Sequence, residues 1–181
     1  MAAMEDFSGW NAPERADMRR TIIRVLDRIA NAAQVGLDVH YRESRGDGFL
    51  DLINPTIPLA GLLRALLTVV PEELESTNRG FPRANWARIR LVLATGMVAI
   101  DAGGCIGPDL ADTSRLLDSQ VLREALSERA SSYALCVSER VYRATVFHEH
   151  RDFPATEFRK IVVHTKRGPQ QAWLHHPAPL S

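Results

Sequence analysis

The sequence predicts an α+β domain in which helices pack on a mostly antiparallel sheet. Apolar residues alternate along the chain between helical and strand spacing, in the order β-α-β-β-α-β-α-β-α-β. Glycine turns separate pairs of short apolar runs, as in β-hairpins. The 181 residues fit one domain, and 45% hydrophobic with 24% charged residues is typical of a folded globular protein. We therefore expect one domain over residues 1–174 and a flexible tail over 175–181.

A first helix is predicted to begin after Asn11, because Asn11 and Glu14 have the spacing of a capping box. Its apolar stripe fits an amphipathic helix, and Gly36 is the expected stop. The hairpin that follows is expected to have strands over 38–43 and 49–53. The helical stripe consists of Met18, Ile22, Val25, Ile29 and Ala33.

The remaining elements follow from the same two periodicities. A second helical stripe covers 59–70, and the polar segment 72–85 is expected to be irregular. The run 89–94 is apolar nearly throughout, which favours a central strand. The other predicted elements are a helix over 108–129, a strand over 132–137, a helix over 138–147 and a hairpin with strands over 158–166 and 170–174.

Composition argues against several classes of function. Lys plus Arg and Asp plus Glu both number 22, so no net field draws the chain to nucleic acid or to anionic lipid. No segment approaches the roughly 20 apolar residues of a membrane span, and residues 1–20 lack the pattern of a secretion signal. Cys105 and Cys136 are too few for a disulfide framework and lack the C-x-x-C spacing of a zinc site. We expect a cytoplasmic protein with two reduced thiols, and neither nucleic acid nor membrane as a partner.

Asp47 is the strongest candidate for a metal ligand. It lies in a glycine turn between two apolar runs that are predicted to be strands, where its side chain has little freedom. The alternative is a turn aspartate that bonds its own backbone. Nucleotide chemistry usually needs a pair of carboxylates to hold Mg²⁺ against phosphates. The candidates for a partner are Glu5 and Asp6, whose alternative is a solvated acidic pair ahead of a helix.

Other polar residues give weaker signals. The pairs His148 and His150, and His175 and His176, lack the H-E-x-x-H spacing that places two imidazoles on one helix face, so we interpret them as surface histidines. Lys166 lies beside a glycine turn, where a cation can meet a phosphate; the alternative is an exposed strand lysine.

Taken in order, five segments resemble the class III nucleotidyl cyclases, and within that family a soluble bacterial group. The resemblance covers nearly the whole chain. It implies a ferredoxin-like, palm-type cyclase homology domain that uses Mg²⁺ or Mn²⁺ and a nucleoside triphosphate. The matching segments are Ala3–Ser8, His40–Gly48, Arg90–Gly96, Ile106–Asp118 and Phe158–Trp173.

Several positions match the residues that the family uses. Asp47 falls on the second metal aspartate, and Arg115 on the arginine that stabilises the transition-state phosphate. Lys166 falls near the phosphate-binding lysine of the last hairpin. Glu43 falls on the base-reading position, where a carboxylate resembles the guanine-reading type, and we place Arg45 with it among the nucleotide contacts.

Two positions depart from the family pattern. The first metal aspartate aligns with Ala3, and the asparagine four residues before Arg115 aligns with Ala111. Glu5 lies two residues beyond Ala3, on the same face of a strand, and is the candidate surrogate metal ligand. Because the first strand has almost no residues before Ala3, we also expect a domain cut from a longer chain.

The leading hypothesis from the sequence is a degenerate cyclase-like domain that acts by binding. The family's dimers are head-to-tail and share the site between subunits, which implies a homodimer here that regulates a partner or a fused effector domain. One alternative is an active metal-dependent cyclase that forms a 3′,5′-cyclic nucleotide and pyrophosphate. Another is a structural interaction module. A bacterial domain of this type would serve cyclic nucleotide signalling or phage defence.

Overall fold

The computed structural model describes residues 1–5, 11–36, 38, 40–128, 131–147, 152–165 and 167–176. The strands are β1 (Ala2–Met4), β2 (His40–Arg45), β3 (Gly48–Ile53), β4 (Ile89–Leu93), β5 (Ala99–Asp101), β6 (Gly104–Ile106), β7 (Tyr133–Ser138), β8 (Phe158–Thr165) and β9 (Gly168–His175). The helices are α1 (Ala12–Ala32), α2 (Leu59–Asn78), α3 (Pro108–Leu117), α4 (Gln120–Glu128) and α5 (Glu139–Thr145).

Seven strands form one sheet in the order β2-β3-β1-β4-β7-β9-β8. Its pairs are antiparallel except β4 with β7, which run parallel. The predicted α+β class with a mostly antiparallel sheet is confirmed. β4 lies in the middle of the sheet, as its continuous apolar run predicts. β5 and β6 form a separate two-stranded hairpin outside this sheet, which the sequence did not predict.

Helices cover both faces of the sheet, and β1 shows how the faces divide. Ala2 and Met4 pack with the apolar residues of α1 and α2. Ala3, between them, packs on the opposite face with Leu116 of α3 and Leu122 of α4. Successive strand side chains point to opposite faces, so β1 is buried on both sides although it has only three residues.

The first helix forms as its capping sequence predicts. The Asn11 side chain accepts the Glu14 amide at 3.0 Å, and the Glu14 carboxylate accepts the Asn11 amide at 2.9 Å. The helix ends at Ala32, before the predicted stop at Gly36. Gln34, with a φ of 56°, takes the left-handed conformation that ends the turn.

The prediction of an irregular segment over 72–85 is wrong in its first half, because α2 continues through Pro71 to Asn78. Glu73 is buried and forms ion pairs with Arg24 and Arg28 of α1. The Asn78 side chain accepts the Ala87 amide at 2.7 Å. These contacts come from distant parts of the chain, and they stabilise a helix that local polarity disfavours.

Two other boundaries differ from the prediction. The helix expected over 108–129 is two helices that break at Ser119, whose hydroxyl accepts the Leu122 amide at 3.3 Å. β9 extends to His175, which is 5% exposed. His175 therefore belongs to the sheet, and the prediction that it is a surface histidine in a loose tail is wrong.

No helix among the described residues is both long and apolar enough to cross a membrane.

Candidate functional site

The Arg90 guanidinium is the centre of a buried cluster of charges at the end of β1. Its Nε lies 3.1 Å from Glu5 Oε2, and its Nη2 lies 3.8 Å from Asp47 Oδ2. Its Nη1 lies 3.6 Å from Asp118 Oδ1 and donates to the Leu117 carbonyl at 2.9 Å. Burial lowers the pKa of Arg90, and neighbouring Arg123 acts in the same direction, while the carboxylates oppose both. One buried side chain therefore joins β1, the β2–β3 turn and the α3–α4 junction.

Glu5 and Asp47, two of the residues predicted to hold a metal, thus both contact Arg90. The Met4 amide donates to the Asp47 carbonyl at 3.2 Å, which fixes the turn against the end of β1. The side chains of Glu5 and Asp47 are 17% and 41% exposed, so the cluster opens to solvent on the Asp47 side. Asp6, the other candidate partner, lies outside the described residues.

Ala3 is a core residue and does not line this opening. In the sheet it is flanked by Gly48 of β3 and Arg90 of β4. Its side chain is 2% exposed and packs in an apolar cluster with Val92. A carboxylate at this position would have to be buried among apolar groups, which costs free energy unless it is paired. The structure therefore locates the acidic end of β1 at Glu5, beyond the position that the family alignment assigns to the first metal aspartate.

The described residues do not by themselves form a cage for a divalent ion. Carboxylates such as Glu5 and Asp47 are the hard oxygen ligands that Mg²⁺ takes. However, the Arg90 guanidinium already contacts both of them. No group of three His, Cys, Asp or Glu side chains with metal-binding geometry occurs in the described ranges. An ion at this place would compete with Arg90 and would need further ligands, such as phosphate oxygens.

Glu43 and Arg45 form a second cluster, which holds the β5–β6 hairpin. Glu43 Oε2 accepts the Cys105 amide at 2.8 Å, and Arg45 Nη2 donates to the Cys105 carbonyl at 2.5 Å. Arg45 Nε lies 2.8 Å from Glu43 Oε1. The Cys105 amide lowers the pKa of Glu43 despite partial desolvation. Burial raises the pKa of the adjacent Cys105 thiol, and Glu43 adds to that shift. The predicted base-reading carboxylate is thus placed beside a thiol and bound to the backbone.

Arg115 lies in a third cluster, on one face of α3. Its Nη1 donates to Asp112 Oδ1 at 2.9 Å. Asp112 Oδ2 lies 3.0 Å from Arg167 Nη1, and Asp109 Oδ1 lies 3.4 Å from the same atom. The Met97 amide lowers the pKa of Asp109, and Arg167 acts in the same direction. Lys166, which precedes Arg167 in the β8–β9 turn, lies outside the described residues, as do His148 and His150.

The three clusters are separate within one chain. Arg115 has contacts with Asp112, and neither Asp47 nor Glu43 is among its described ion-pair partners.

No family model matches the chain, and no curated protein matches it in sequence. Solved structures do match, over almost the whole length. The crystal structure of an adenylate/guanylate cyclase/hydrolase from Silicibacter pomeroyi is similar with a TM-score of 0.67 over 97% of this chain and 93% of that one, at 19% identity. The chain has a class III cyclase-like fold.

A second cyclase structure supports the same fold. It is a double mutant of the guanylyl cyclase domain of the RhoGC fusion protein from the aquatic fungus Blastocladiella emersonii, in a monomeric crystal structure. Its TM-score is 0.50 over 98% of this chain and 93% of that chain, at 13% identity. At these identities the similarity concerns the fold, and the chemistry must be argued from the residues of this cyclase-like domain.

Three residues of the site escaped the sequence analysis. The sequence analysis recognised Arg90 only as part of an apolar strand. A buried arginine must be paired, so its presence in such a run could have indicated an ion pair. Cys105 was expected only to be a reduced thiol. Asp112 lies three residues before Arg115, a helical spacing that predicts the ion pair. For Arg90 and Cys105 the deciding contacts are with residues far away in sequence, which only the structure brings near.

Proposed function

We propose that this cyclase-like domain binds a guanine nucleotide, self-associates through the β5–β6 hairpin and has little or no cyclase activity. The observation that carries the proposal is on α3. Arg115 and Arg167 are present and ordered by Asp112, whereas the neighbouring position that would orient the reacting group is Ala111. In this proposal Arg115 and Arg167 are the cations that would hold phosphate, while the side chain that would assist the reaction is absent at Ala111.

Guanine is the base that Glu43 favours. A carboxylate accepts hydrogen bonds only, and the Watson–Crick edge of guanine presents two adjacent N–H donors. Adenine presents one donor beside an acceptor, which a carboxylate would repel. Glu43 already accepts the Cys105 amide with one oxygen, so nucleotide binding would share or replace that contact.

Self-association is supported by the exposed apolar residues of the β5–β6 hairpin. Met97, Ile100 and Ile106 are 81%, 57% and 54% exposed. Ile100 pairs with Cys105 and Ala99 pairs with Ile106, so the two isoleucines project from opposite faces of the hairpin. An arm that is apolar on both faces is suited to contact a second molecule. A dimer of this type would bring the Asp47 cluster of one subunit to the Arg115 cluster of the other, and would act on a partner or attached effector domain.

An active metal-dependent cyclase is the second candidate, and one observation favours it. Glu5 and Asp47 converge on Arg90 even though position 3 is alanine. Two carboxylates near one point are what an ion that holds a triphosphate needs. In this case Mg²⁺ or Mn²⁺ would bind on the solvent side of Asp47, with Asp6 as a further ligand.

Calorimetry and a product assay distinguish the two candidates. The purified chain is titrated with each of the four nucleoside triphosphates in the presence of Mn²⁺, and the same mixtures are analysed for cyclic nucleotide and pyrophosphate. We expect GTP to bind most tightly. Product should be absent, or should form at a rate far below the roughly 1–10³ s⁻¹ that is typical of enzyme turnover. Turnover in that range, abolished by Asp47→Ala, would establish the active cyclase instead.

Three further variants test which residues limit activity. If the loss lies at position 111, Ala111→Asn should raise the rate of product formation about 10²-fold, the usual effect of one transition-state contact. Comparison of Glu5→Gln with Asp6→Asn shows which acidic residue acts with Asp47. No heat with any triphosphate would contradict the proposal and favour a structural module.

A further inference from the structure

Asp112 is a nearly buried carboxylate that lies between two arginines from distant parts of the chain. The residue is 9% exposed. One oxygen accepts from Arg115 Nη1 at 2.9 Å, and the other lies 3.0 Å from Arg167 Nη1. Arg115 belongs to α3, whereas Arg167 follows β8 in the turn to β9. One oxygen of Asp112 thus contacts its own helix, and the other contacts a hairpin turn. Arg167 in that turn lies more than 50 residues after Asp112 in the sequence.

The same face of α3 holds this turn at a second point. Asp109, one helical turn before Asp112, lies 3.4 Å from Arg167 Nη1. Its other oxygen accepts the Met97 amide at 2.8 Å, which fixes the start of α3 to the segment after β4. Because Asp109, Asp112 and Arg115 recur at intervals of three, they lie on one face of the helix. The position of Arg167 relative to Arg115 is therefore set by two carboxylates on a helix that is itself fixed.

We propose that Asp112 is a positioning residue that joins Arg115 and Arg167 into one phosphate-binding unit. This inference rests on the proposed nucleotide-binding function and identifies the triphosphate chain as the group that the unit contacts. Arg115 and Arg167 are 35% and 54% exposed and each contacts Asp112 through Nη1. Their remaining guanidinium donors would bind a phosphate without first having to be ordered.

The physical reason is the entropy of long side chains. An exposed arginine loses rotamer freedom when it binds an anion, and that loss opposes binding. A guanidinium already held by a carboxylate has lost much of this freedom before the ligand arrives. The Asp112 carboxylate also has an opposing effect. Its negative charge lowers the positive potential around the two arginines and so weakens their attraction for anions. If this second effect prevailed, removal of Asp112 would strengthen the binding of anions.

The first experiment needs no ligand. Rotation of the guanidinium groups of Arg115 and Arg167, and amide exchange of Arg167, are measured by NMR in the wild-type chain and in Asp112→Asn, Asp112→Ala and Asp112→Glu. We expect both rates to rise about tenfold in the alanine variant, as one charge-assisted contact is lost, and to return toward wild type in the glutamate variant. Glu139→Gln, which removes the exposed partner of Arg143, is the control and should change neither arginine. Unchanged rates in Asp112→Ala would overturn the proposal.

The second experiment measures binding of GTP and of inorganic triphosphate by calorimetry. Asp112→Asn should weaken both by about tenfold, and it should add little further loss to Arg115→Gln, because the carboxylate acts through that arginine. Tighter binding by Asp112→Asn, or losses that simply add, would overturn the positioning role. If the wild-type chain binds neither probe, the proposed function fails, and the ligand-free rates alone decide whether Asp112 positions the two arginines.

Discussion

Arg90 Nε lies 3.1 Å from Glu5 Oε2, and the arginine side chain is only 1% exposed. A charge so deeply buried is stable only when it is paired, because transfer of an unpaired ion out of water is costly. The pair connects the central strand β4 to the residue that follows β1. Arg90 therefore connects the sheet to the Glu5 and Asp47 carboxylates.

Replacement of Arg90 by leucine should destabilise the domain by about 1–3 kcal/mol, since it leaves the mostly buried Glu5 carboxylate without its charged partner. Urea unfolding followed by circular dichroism measures the change. Arg123→Ala is the control, because its ion pair with Asp118 is half exposed and is worth about 1 kcal/mol or less. Equal stability losses in the two variants would show that Arg90 is not the structural centre of this cluster.

Gly104 and Gly168 offer a matched test of the contact between the β5–β6 hairpin and Glu43. Both have a φ of 108°, so alanine at either position costs about 1–2 kcal/mol of backbone strain. At Gly104 a Cβ would also lie 2.7 Å from Glu43 Oε2, whereas nothing lies within 4 Å of one at Gly168. We expect Gly104→Ala to be the more destabilising in urea unfolding and to expose the hairpin to protease. Equal effects would mean that Glu43 does not hold the hairpin closely.

Local sequence predicts much of the fold. The capping box of Asn11 and Glu14 and the glycine turn at Asp47 operate within a few residues, and both form as expected. What local sequence cannot predict is the continuation of α2 beyond Pro71. That part depends on Glu73, whose partners Arg24 and Arg28 lie in another helix.

The candidate site follows the same rule. Asp47 could be selected from its residue type and its glycine turn, whereas Glu43, Arg45 and Arg115 were selected through the resemblance to the cyclase family. Glu5, the predicted partner of Asp47, contacts the same arginine, Arg90. The contact between Glu43 and Cys105 could not be predicted, because Cys105 lies in a hairpin of two three-residue strands, too short to show a period. The role of each site residue stays a prediction until nucleotide binding is measured.

If the exposed β5–β6 hairpin mediates self-association, charged residues placed on it should prevent assembly. Ile100→Asp combined with Ile106→Asp should convert the self-associated form into monomers without a large loss of stability, because both side chains are already more than half exposed. Analytical ultracentrifugation over a range of protein concentrations measures this change. Phe81→Asp, an equally exposed aromatic position outside the hairpin, is the control and should leave assembly unchanged. A wild-type chain that stays monomeric would exclude the hairpin as a dimer arm.

The contact between Glu43 and Cys105 should depend on pH in one direction. The pKa of Glu43 lies below its ordinary value of 4.5, chiefly because the Cys105 amide donates to the ionised carboxylate. The contact therefore contributes fully to stability above pH 4.5 and is lost as the pH falls through the lower pKa of the folded state.

The amide chemical shift of Cys105, followed by NMR during acidification, measures this loss directly. It should be constant from neutral pH down to about pH 5, above the ordinary range of a glutamate, and then move upfield as the carboxylate is protonated. In Glu43→Gln the same amide should show no such transition. A midpoint above 4.5 in the wild-type chain would mean that the Cys105 amide does not stabilise the charged form of Glu43.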